Sequence, residues 1–146
     1  MIDHVWSVLC SNGVIDIETN NVSLHNVIEQ ISVQGPPEPN ARIPIQLDIL
    51  SFLVRSDPEI PARKDLRISF RFPSGKVDRL GTADINLLQH ERFRARARLQ
   101  GIPANEPGRH YFLIELQGEG EDEWNQVAAI PLTLIYKSKP DSSEEE

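Results

Sequence analysis

The amino-acid sequence predicts an all-β fold, an antiparallel β-sandwich of about seven to nine strands with an immunoglobulin-like or C2-like outline. Apolar and polar residues alternate with a period of two in several short runs. Turn-forming residues separate these runs at roughly 8–15-residue spacing. Most of the 11 prolines and 8 glycines fall in the separating segments. Short strands with frequent turns indicate a sandwich or a barrel, and we expect the sandwich.

The clearest strand signal is the segment DLRISFRF, which places Leu66, Ile68, Phe70 and Phe72 on one face. The segments FRARARL, HYFLIEL and AIPLTLIY alternate in the same way. The longer and more continuously apolar segment IPIQLDILSFLV is typical of a central strand buried on both faces. Pro131 has no N–H group for a ladder, so its strand should lie at an edge or carry a bulge there.

Two further segments are harder to assign. The segment TADINLLQHERF could form a short helix capped by Asp84. Alternatively, KVDRLGTADINL is a strand and LQHE is the loop after it, and both interpretations stay open. The segment LHNVIEQISV contains helix formers, but its β-branched residues favour a strand with a bulge.

The same alternation predicts which side chains form the core. Cys10 shares an alternating face with Trp6 and Val8, so we expect a buried, unreactive thiol rather than a nucleophile. The expected core residues are Trp6, Val8, Leu47, Ile49, Ile68, Phe70, Phe112, Ile114, Leu116, Leu132 and Leu134.

Length and charge limit the organisation and the class of protein. The 146 residues suit a single sandwich domain over residues 1–138, followed by a disordered acidic tail over residues 139–146. A net charge of −7 argues against a nucleic-acid partner. We find no signal peptide and no membrane span, and the only cysteine cannot form an intrachain disulfide. These features predict a cytoplasmic protein.

The segment DIETNNVSLHNV resembles the beginning of a calcium loop, with Asp16, Glu18 and Asn20 at the first, third and fifth positions. Asn21 and Val27 stand where such a loop needs glycine and a bidentate glutamate. Aspartate and asparagine also close tight turns by bonding nearby backbone. We therefore expect a turn between two strands, held closed by Thr19 and Asn20, rather than a metal site.

Residue types suited to catalysis or cofactor binding are present but scattered. No histidine pairs with another histidine or with the cysteine at the spacing of a zinc site. No glycine-rich phosphate loop or nucleophile-elbow motif occurs. We therefore predict no metal, no cofactor and no catalytic residues. The four histidines are His4, His25, His90 and His110.

The segment RFRARARLQ concentrates positive charge on one strand face, with neighbouring side chains about 6.5–7 Å apart. We call its four arginines the arginine row: Arg92, Arg94, Arg96 and Arg98. One interpretation is a solvated face paired with Glu115 or Asp84 on adjacent strands. The other is a docking face for an acidic partner, for example the tail residues 144–146 of the same or a second copy. Arg67 and Arg71 make a similar stripe elsewhere.

The opening WSVLC, the segment DIETNNVSLHNVIEQI and the strand IPIQLDIL resemble the start of a family of uncharacterised small bacterial proteins. Members of that family look like single β-sandwich domains, and GRHYFLIEL and AAIPLTL fit their two final strands. The resemblance implies a bacterial origin and supports the fold. It implies no activity, cofactor or binding residue.

These observations lead to a hypothesis about function. We expect a non-catalytic binding or assembly module with a protein partner, and a homo-oligomer is compatible with this interpretation. The alternative is a small, hydrolase-like enzyme whose site is built from loops. A pocket with converging polar residues of displaced pKa would favour the enzyme, and a flat surface would favour the module.

Overall fold

The computed structural model describes residues 1–118 and 122–137, and this part of the chain is all β, without a helix. Nine strands form a four-stranded sheet in the order β2-β1-β4-β7 and a five-stranded sheet in the order β3-β9-β8-β5-β6. The predicted sandwich and strand number are confirmed. The strands are β1 (Ile2–Ile15), β2 (Val22–Val27), β3 (Gln30–Gln34), β4 (Arg42–Arg55), β5 (Ala62–Arg71), β6 (Val77–Leu87), β7 (Arg92–Pro103), β8 (Gly108–Gly118) and β9 (Asn125–Lys137).

Strand pairing is antiparallel except between β3 and β9, which run parallel. The predicted central strand is confirmed, because β4 lies between β1 and β7. The predicted acidic tail, residues 139–146, lies outside the described residues.

The core lies between the two sheets, where Phe70 and Phe112 pack with their ring centroids 4.7 Å apart. The expected core is confirmed except at two positions. The prediction is wrong for Trp6 and Val8, because these residues lie opposite Phe52 and Leu50 on the outer face of the four-stranded sheet. The confirmed residues are Leu47, Ile49, Ile68, Phe70, Phe112, Ile114, Leu116, Leu132 and Leu134.

Pro131 lies in a part of β9 that has a neighbouring strand on one side only. β9 is an interior strand of the five-stranded sheet, but β3 pairs with it only from Thr133 onward. Pro131 faces Tyr111 of β8 and lies before the β3 pairing begins. The missing N–H therefore removes no bond from the parallel ladder.

The structure shows which elements the two segments with uncertain assignments form. The helix over TADINLLQHERF is wrong, and the strand alternative is confirmed, because β6 continues to Leu87 before a loop. The single bulged strand over LHNVIEQISV is also wrong. The segment forms β2 in one sheet and β3 in the other, and it crosses between them at Ile28 after a left-handed Asn26 (φ 54°).

His110 is fully buried in the core and belongs to the packing rather than to a site. Its ring stacks on Phe70 with centroids 5.0 Å apart, and its Nδ1 lies 3.1 Å from the carbonyl oxygen of Gly108. Its Nε2 is buried without a hydrogen-bond partner in the described residues. Burial lowers the pKa of His110 below its ordinary value, so the imidazole stays neutral near pH 7.

The described part of the chain has no helix with the length and hydropathy that crossing a bilayer would need.

Candidate functional site

The outer face of the four-stranded sheet carries the most distinctive geometry of the molecule. β1 pairs with β4 only as far as Cys10, and beyond that residue it pairs with β2 alone. The freed hairpin folds back across the outer face of its own sheet. We call this hairpin, residues 11–27, the arm.

Close contacts hold the arm to the sheet at Gly13. Its N–H donates to Asp48 Oδ2 at 3.1 Å, and its carbonyl accepts a hydrogen bond from Arg96. A Cβ at this position would lie 2.8 Å from both methyl groups of Leu50. A side chain at position 13 would have to displace Leu50, so glycine lets the arm approach this closely, and the approach buries Leu50 on what would otherwise be an open face.

The tip of the arm is a tight turn, as the sequence predicts. Asp16 Oδ1 accepts hydrogen bonds from the backbone N–H groups of Glu18 and Thr19 at 2.8 and 3.0 Å. Thr19 Oγ1 accepts one from the N–H of Asn21 at 3.2 Å, and Asn20 adopts a positive φ of 60°. These bonds from backbone N–H groups lower the pKa of Asp16. Asp16 therefore makes most of the bonds that close the turn, whereas we expected Thr19 and Asn20 to close it.

The arginine row lies on β7 beneath the arm and is mostly occupied. Arg94 donates to the backbone carbonyl and the side-chain oxygen of Asn20 at 2.7 and 2.8 Å. Arg98 makes a two-point contact with Asp48 at 2.9 and 3.1 Å. Arg96 lies 4.0 Å from the same carboxylate. Three of the four side chains therefore hold the arm or bind Asp48 of β4.

The pairing partners expected for the arginine row are wrong. Glu115 and Asp84 belong to the five-stranded sheet, where they pair with Arg67 and Arg63 respectively. The actual partner is Asp48 of the neighbouring strand β4. Asp48 is the only charged residue in the apolar run IPIQLDILSFLV, and this position was the sign in the sequence that it pairs with a buried or neighbouring cation.

Asp48 is fully buried beneath the arm and remains ionised. Hydrogen bonds from Arg98 lower the pKa of its carboxyl below the ordinary value, with help from the Gly13 N–H and against the raising effect of burial. A buried carboxylate with these donors is a structural anchor.

Cys10 lies opposite Asp48 and is fully buried, as predicted, although on the outer face rather than in the core. Burial raises the pKa of its thiol, and the Asp48 charge adds to the effect. A thiol in this state is a poor nucleophile at pH 7.

The second stripe, with Arg67 and Arg71, lies on the five-stranded sheet and also has partners. Arg67 pairs with Glu115 through two hydrogen bonds of 3.1 and 3.0 Å, and its guanidinium lies 4.4 Å from the Trp124 ring centroid. Arg71 lies over the ring of Tyr111. This stripe is a paired surface.

A cleft of about 560 Å³ opens beside the arm tip. Trp6 and Phe52 form its apolar floor, with ring centroids 5.7 Å apart. The turn residues 19–22 form one wall, and residues 90–94 at the start of β7 form the other. Arg92 lines this second wall, and no hydrogen bond or ion pair engages its side chain within residues 1–118 and 122–137.

The second wall is fixed from behind by Arg55. Its guanidinium donates to the carbonyls of Leu87 and Leu88 at 2.9 and 3.2 Å and to that of Pro58 at 2.9 Å. The backbone N–H of Arg55 also donates to the carbonyl of Glu91 at 3.0 Å. The loop that carries His90 and leads into Arg92 is therefore anchored before any ligand arrives.

Near the start of β1 a histidine contacts a serine, and no sequence motif indicates this contact. Nε2 of His4 lies 2.6 Å from Oγ of Ser7, which lies 2.6 Å from Oγ of Ser51. The pair resembles a nucleophile with its base, but neither residue lines a described cleft, and no carboxylate orients the other ring nitrogen within the described chain. Burial lowers the pKa of His4. These contacts give the hydroxyl groups of Ser7 and Ser51 hydrogen-bond partners on the side of the sheet that faces the core.

Within the described residues, no group of three or more histidine, cysteine, aspartate or glutamate side chains could hold a metal ion. The arrangement that remains is an aromatic floor with a guanidinium group at its rim. It can take a flat or apolar group against the rings, and a carboxylate or phosphate against Arg92.

The fold and the cleft together define a β-sandwich domain with a preformed surface site. No family model matches the chain, and no curated protein does. Among solved structures it is similar to the N-terminal domain of PorA, with 10% sequence identity and a TM-score of 0.32, over 90% of this chain and 98% of that one. A likeness this distant does not bear on function.

Proposed function

We propose that this protein is a non-catalytic binding module, and that it captures a peptide segment of a partner protein in the cleft beside the arm. The segment combines an aromatic or aliphatic side chain with a neighbouring carboxylate. The single observation that carries the proposal is Arg92, which lies beside the half-buried rings of Trp6 and Phe52 without an intramolecular partner in the described residues.

The contrast within the arginine row supports this choice. Arg94, Arg96 and Arg98 hold the arm or Asp48, whereas Arg92 alone lines the cleft without such a contact in the part of the chain that is described. A guanidinium group can hold a carboxylate by two parallel hydrogen bonds. Tryptophan and arginine are also enriched among the residues that dominate binding energy at protein interfaces.

The enzyme alternative receives less support from the geometry. Asp48 and His110 have displaced pKa values, but both lie outside the cleft lining. The His4–Ser7 contact has no described cleft over it. The bacterial origin, the cytoplasmic location and the immunoglobulin-like or C2-like outline stay predictions from the sequence.

Selection from a random linear-peptide library on the purified protein tests the proposal. We expect enriched peptides to carry an acidic residue next to an aromatic or aliphatic one. Their affinity should fall by about tenfold or more in Arg92→Glu and in Trp6→Ala, since both changes remove a central contact. Arg109→Glu, on the other sheet, is the matched charge control and should bind as the unchanged protein does.

Enriched peptides that bind Arg92→Glu and Trp6→Ala at full affinity would overturn the proposal. Circular dichroism and thermal unfolding of each variant will show that the fold is intact before affinities are compared.

The self-docking version of the hypothesis needs its own test. If residues 144–146 of the same chain fill the cleft, deletion of residues 141–146 should shift the amide resonances of Arg92 and Trp6 and strengthen peptide binding. Unchanged resonances and affinities would leave the cleft to a partner and exclude the tail.

A further inference from the structure

A slot opens on the side of the sandwich where β6 and β7 lie, and it shares no lining residue with the cleft. Each of these strands is the last of its sheet, so two sheet edges face the same side. The slot between them measures about 220 Å³ and reaches down to Leu66 and Ile68 of β5. Both residues are otherwise buried members of the core.

Small residues keep this slot open. On β6, Ala83 and Gly81 lie opposite Leu66 and Ile68, on the inner face of the five-stranded sheet. On β7, the inward positions between Phe93 and Leu99 are alanines. Larger side chains at these positions would close the sandwich at this side. The sequence thus leaves apolar surface accessible between two strand edges.

The edge of β7 adds a second recognition element. Within residues 1–118 and 122–137, β7 pairs with β4 on one side and with no strand on the other. A strand edge without a neighbour offers unpaired N–H and C=O groups to an incoming chain. β7 is 12 residues long, which is enough to template a complete strand.

The side chains of β7 specify what that strand should contain. Its outward positions carry the arginine row, and its inward positions adjoin the slot. A strand added to β7 would alternate in the same phase, because neighbouring side chains in a sheet lie on the same face. Its outward residues would meet the arginines and its inward residues would meet the slot.

From this alternation we infer that β7 binds an extended polypeptide segment by strand addition, with apolar residues entering the slot and acidic residues facing Arg96 and Arg98, the two members of the arginine row that line the slot. Edge-to-edge pairing of two copies through β7 is disfavoured, because it would bring two arginine rows together. The occupant is therefore a segment of another protein and not the same strand of a second copy. This site is separate from the cleft, and the inference does not depend on the proposed function.

Three synthetic peptides of about ten residues, long enough to cover most of β7, test the inference. They alternate glutamate with valine, lysine with valine, and glutamate with serine. Fluorescence anisotropy should show saturable binding of the glutamate–valine peptide, and binding at least about tenfold weaker for the other two. Equal affinity for all three peptides would overturn the inference.

A second test fills the slot with a larger side chain. Ala83→Leu should weaken the glutamate–valine peptide by about tenfold, because the new side chain occupies the space that valine would enter. Ala129→Leu is the matched control, since Ala129 lies opposite Leu113 on the outer face of the same sheet and does not line the slot, and it should bind normally. If Ala83→Leu does not fold, Ala97→Val fills the slot from β7.

Two readouts separate this site from others. Trp6→Ala should leave binding of the glutamate–valine peptide unchanged, since Trp6 lines the cleft and not the slot. Hydrogen exchange of the complex should show slower exchange of β7 amides. Protection confined to β6, or full binding by the slot-filling variants, would contradict strand addition at β7.

Discussion

At the scale of single residues, Asp48 organises the outer face more than any other side chain. It binds Arg98 at two points, accepts the Gly13 N–H and lies near Arg96, while it is itself fully buried. Its partners reach solvent, with Arg98 42% exposed, so they can be hydrated if the carboxylate is lost. The cost of losing it should therefore be moderate.

The change Asp48→Asn tests this role. We expect the free energy of unfolding to fall by about 2 kcal/mol, since hydrogen bonds to a charged group are lost while the shape is kept. The unfolding midpoint should fall by roughly 5–10 °C for a domain of this size. Asp78→Asn, whose carboxylate lies 3.9 Å from Lys76 at the surface, is the control and should change little.

His110 makes stability depend on pH. Burial lowers its pKa in the native state, so below its ordinary value of about 6.5 the unfolded chain binds a proton that the folded chain does not. The free energy of unfolding should therefore fall as the pH drops from 7.5 to 5.5. His4 contributes in the same direction, because its pKa is also lowered.

Thermal unfolding of His110→Phe should isolate this contribution. The variant should lose part of the decrease between pH 7.5 and 5.5, whereas His25→Phe, at an exposed position of the arm, should keep it. An identical pH dependence in His110→Phe and the unchanged protein would show that His110 is not the group responsible. Asp16, Asp48 and Asp84 do not interfere, because their pKa values are lowered from about 4.

At the scale of elements, the arm explains why β1 is apolar on both faces. Leu9 faces the core, while Val8 and Cys10 lie on the outer face, so alternation alone could not tell which side of the segment HVWSVLC was inward. The segment DLRISFRF has one apolar and one polar face, and its prediction was correct. Period-two patterns identify the inner face only where the other face meets water.

Contacts between residues that are far apart in the chain were the other feature that could not be predicted from the sequence. The row of arginines was visible in the sequence, but its partner Asp48 lies 50 residues before Arg98, and the choice between Asp48, Glu115 and Asp84 depends on strand order. The cleft was invisible for the same reason, since Trp6, Phe52 and Arg92 meet only after β1, β4 and β7 have paired. Turn chemistry at Asp16 is local, and it was predictable.

Gly13→Val should lift the arm, because even a Cβ would come within 2.8 Å of Leu50. Cys10 should then react with a thiol reagent such as DTNB at least several-fold faster than in the unchanged protein, where it is buried and its pKa is raised. Unchanged labelling in a folded Gly13→Val variant would contradict the account of the arm. Gly81→Val, on the other sheet, should leave the labelling rate as it was.

At the scale of the whole molecule, the sandwich depends on the core between its sheets. The described residues contain one buried cysteine and no cluster suited to a metal ion. We expect the thermal midpoint to be the same with and without EDTA and a reductant. A fall of more than about 5 °C, on the order of 1 kcal/mol, would show that a metal or a disulfide contributes.

The whole molecule offers two recognition surfaces with different chemistry. The cleft combines rings with one guanidinium, and the β7 edge combines backbone groups with the slot. Arg94 lines the cleft, Arg96 and Arg98 line the slot, and these three side chains also hold the arm or Asp48. A partner could use either surface without unfolding the arm, so variants at one surface should leave the other functional.

Trp6 fluorescence shows whether a peptide segment binds against Trp6 and Arg92. In a Trp124→Phe background Trp6 is the only tryptophan, so titration with a library-selected peptide reports on the cleft alone. We predict a saturable change in Trp6 emission that Arg92→Glu abolishes and Arg109→Glu preserves. Saturable binding of the same peptide by anisotropy, without any change in Trp6 emission and with full affinity in Arg92→Glu, would contradict the account.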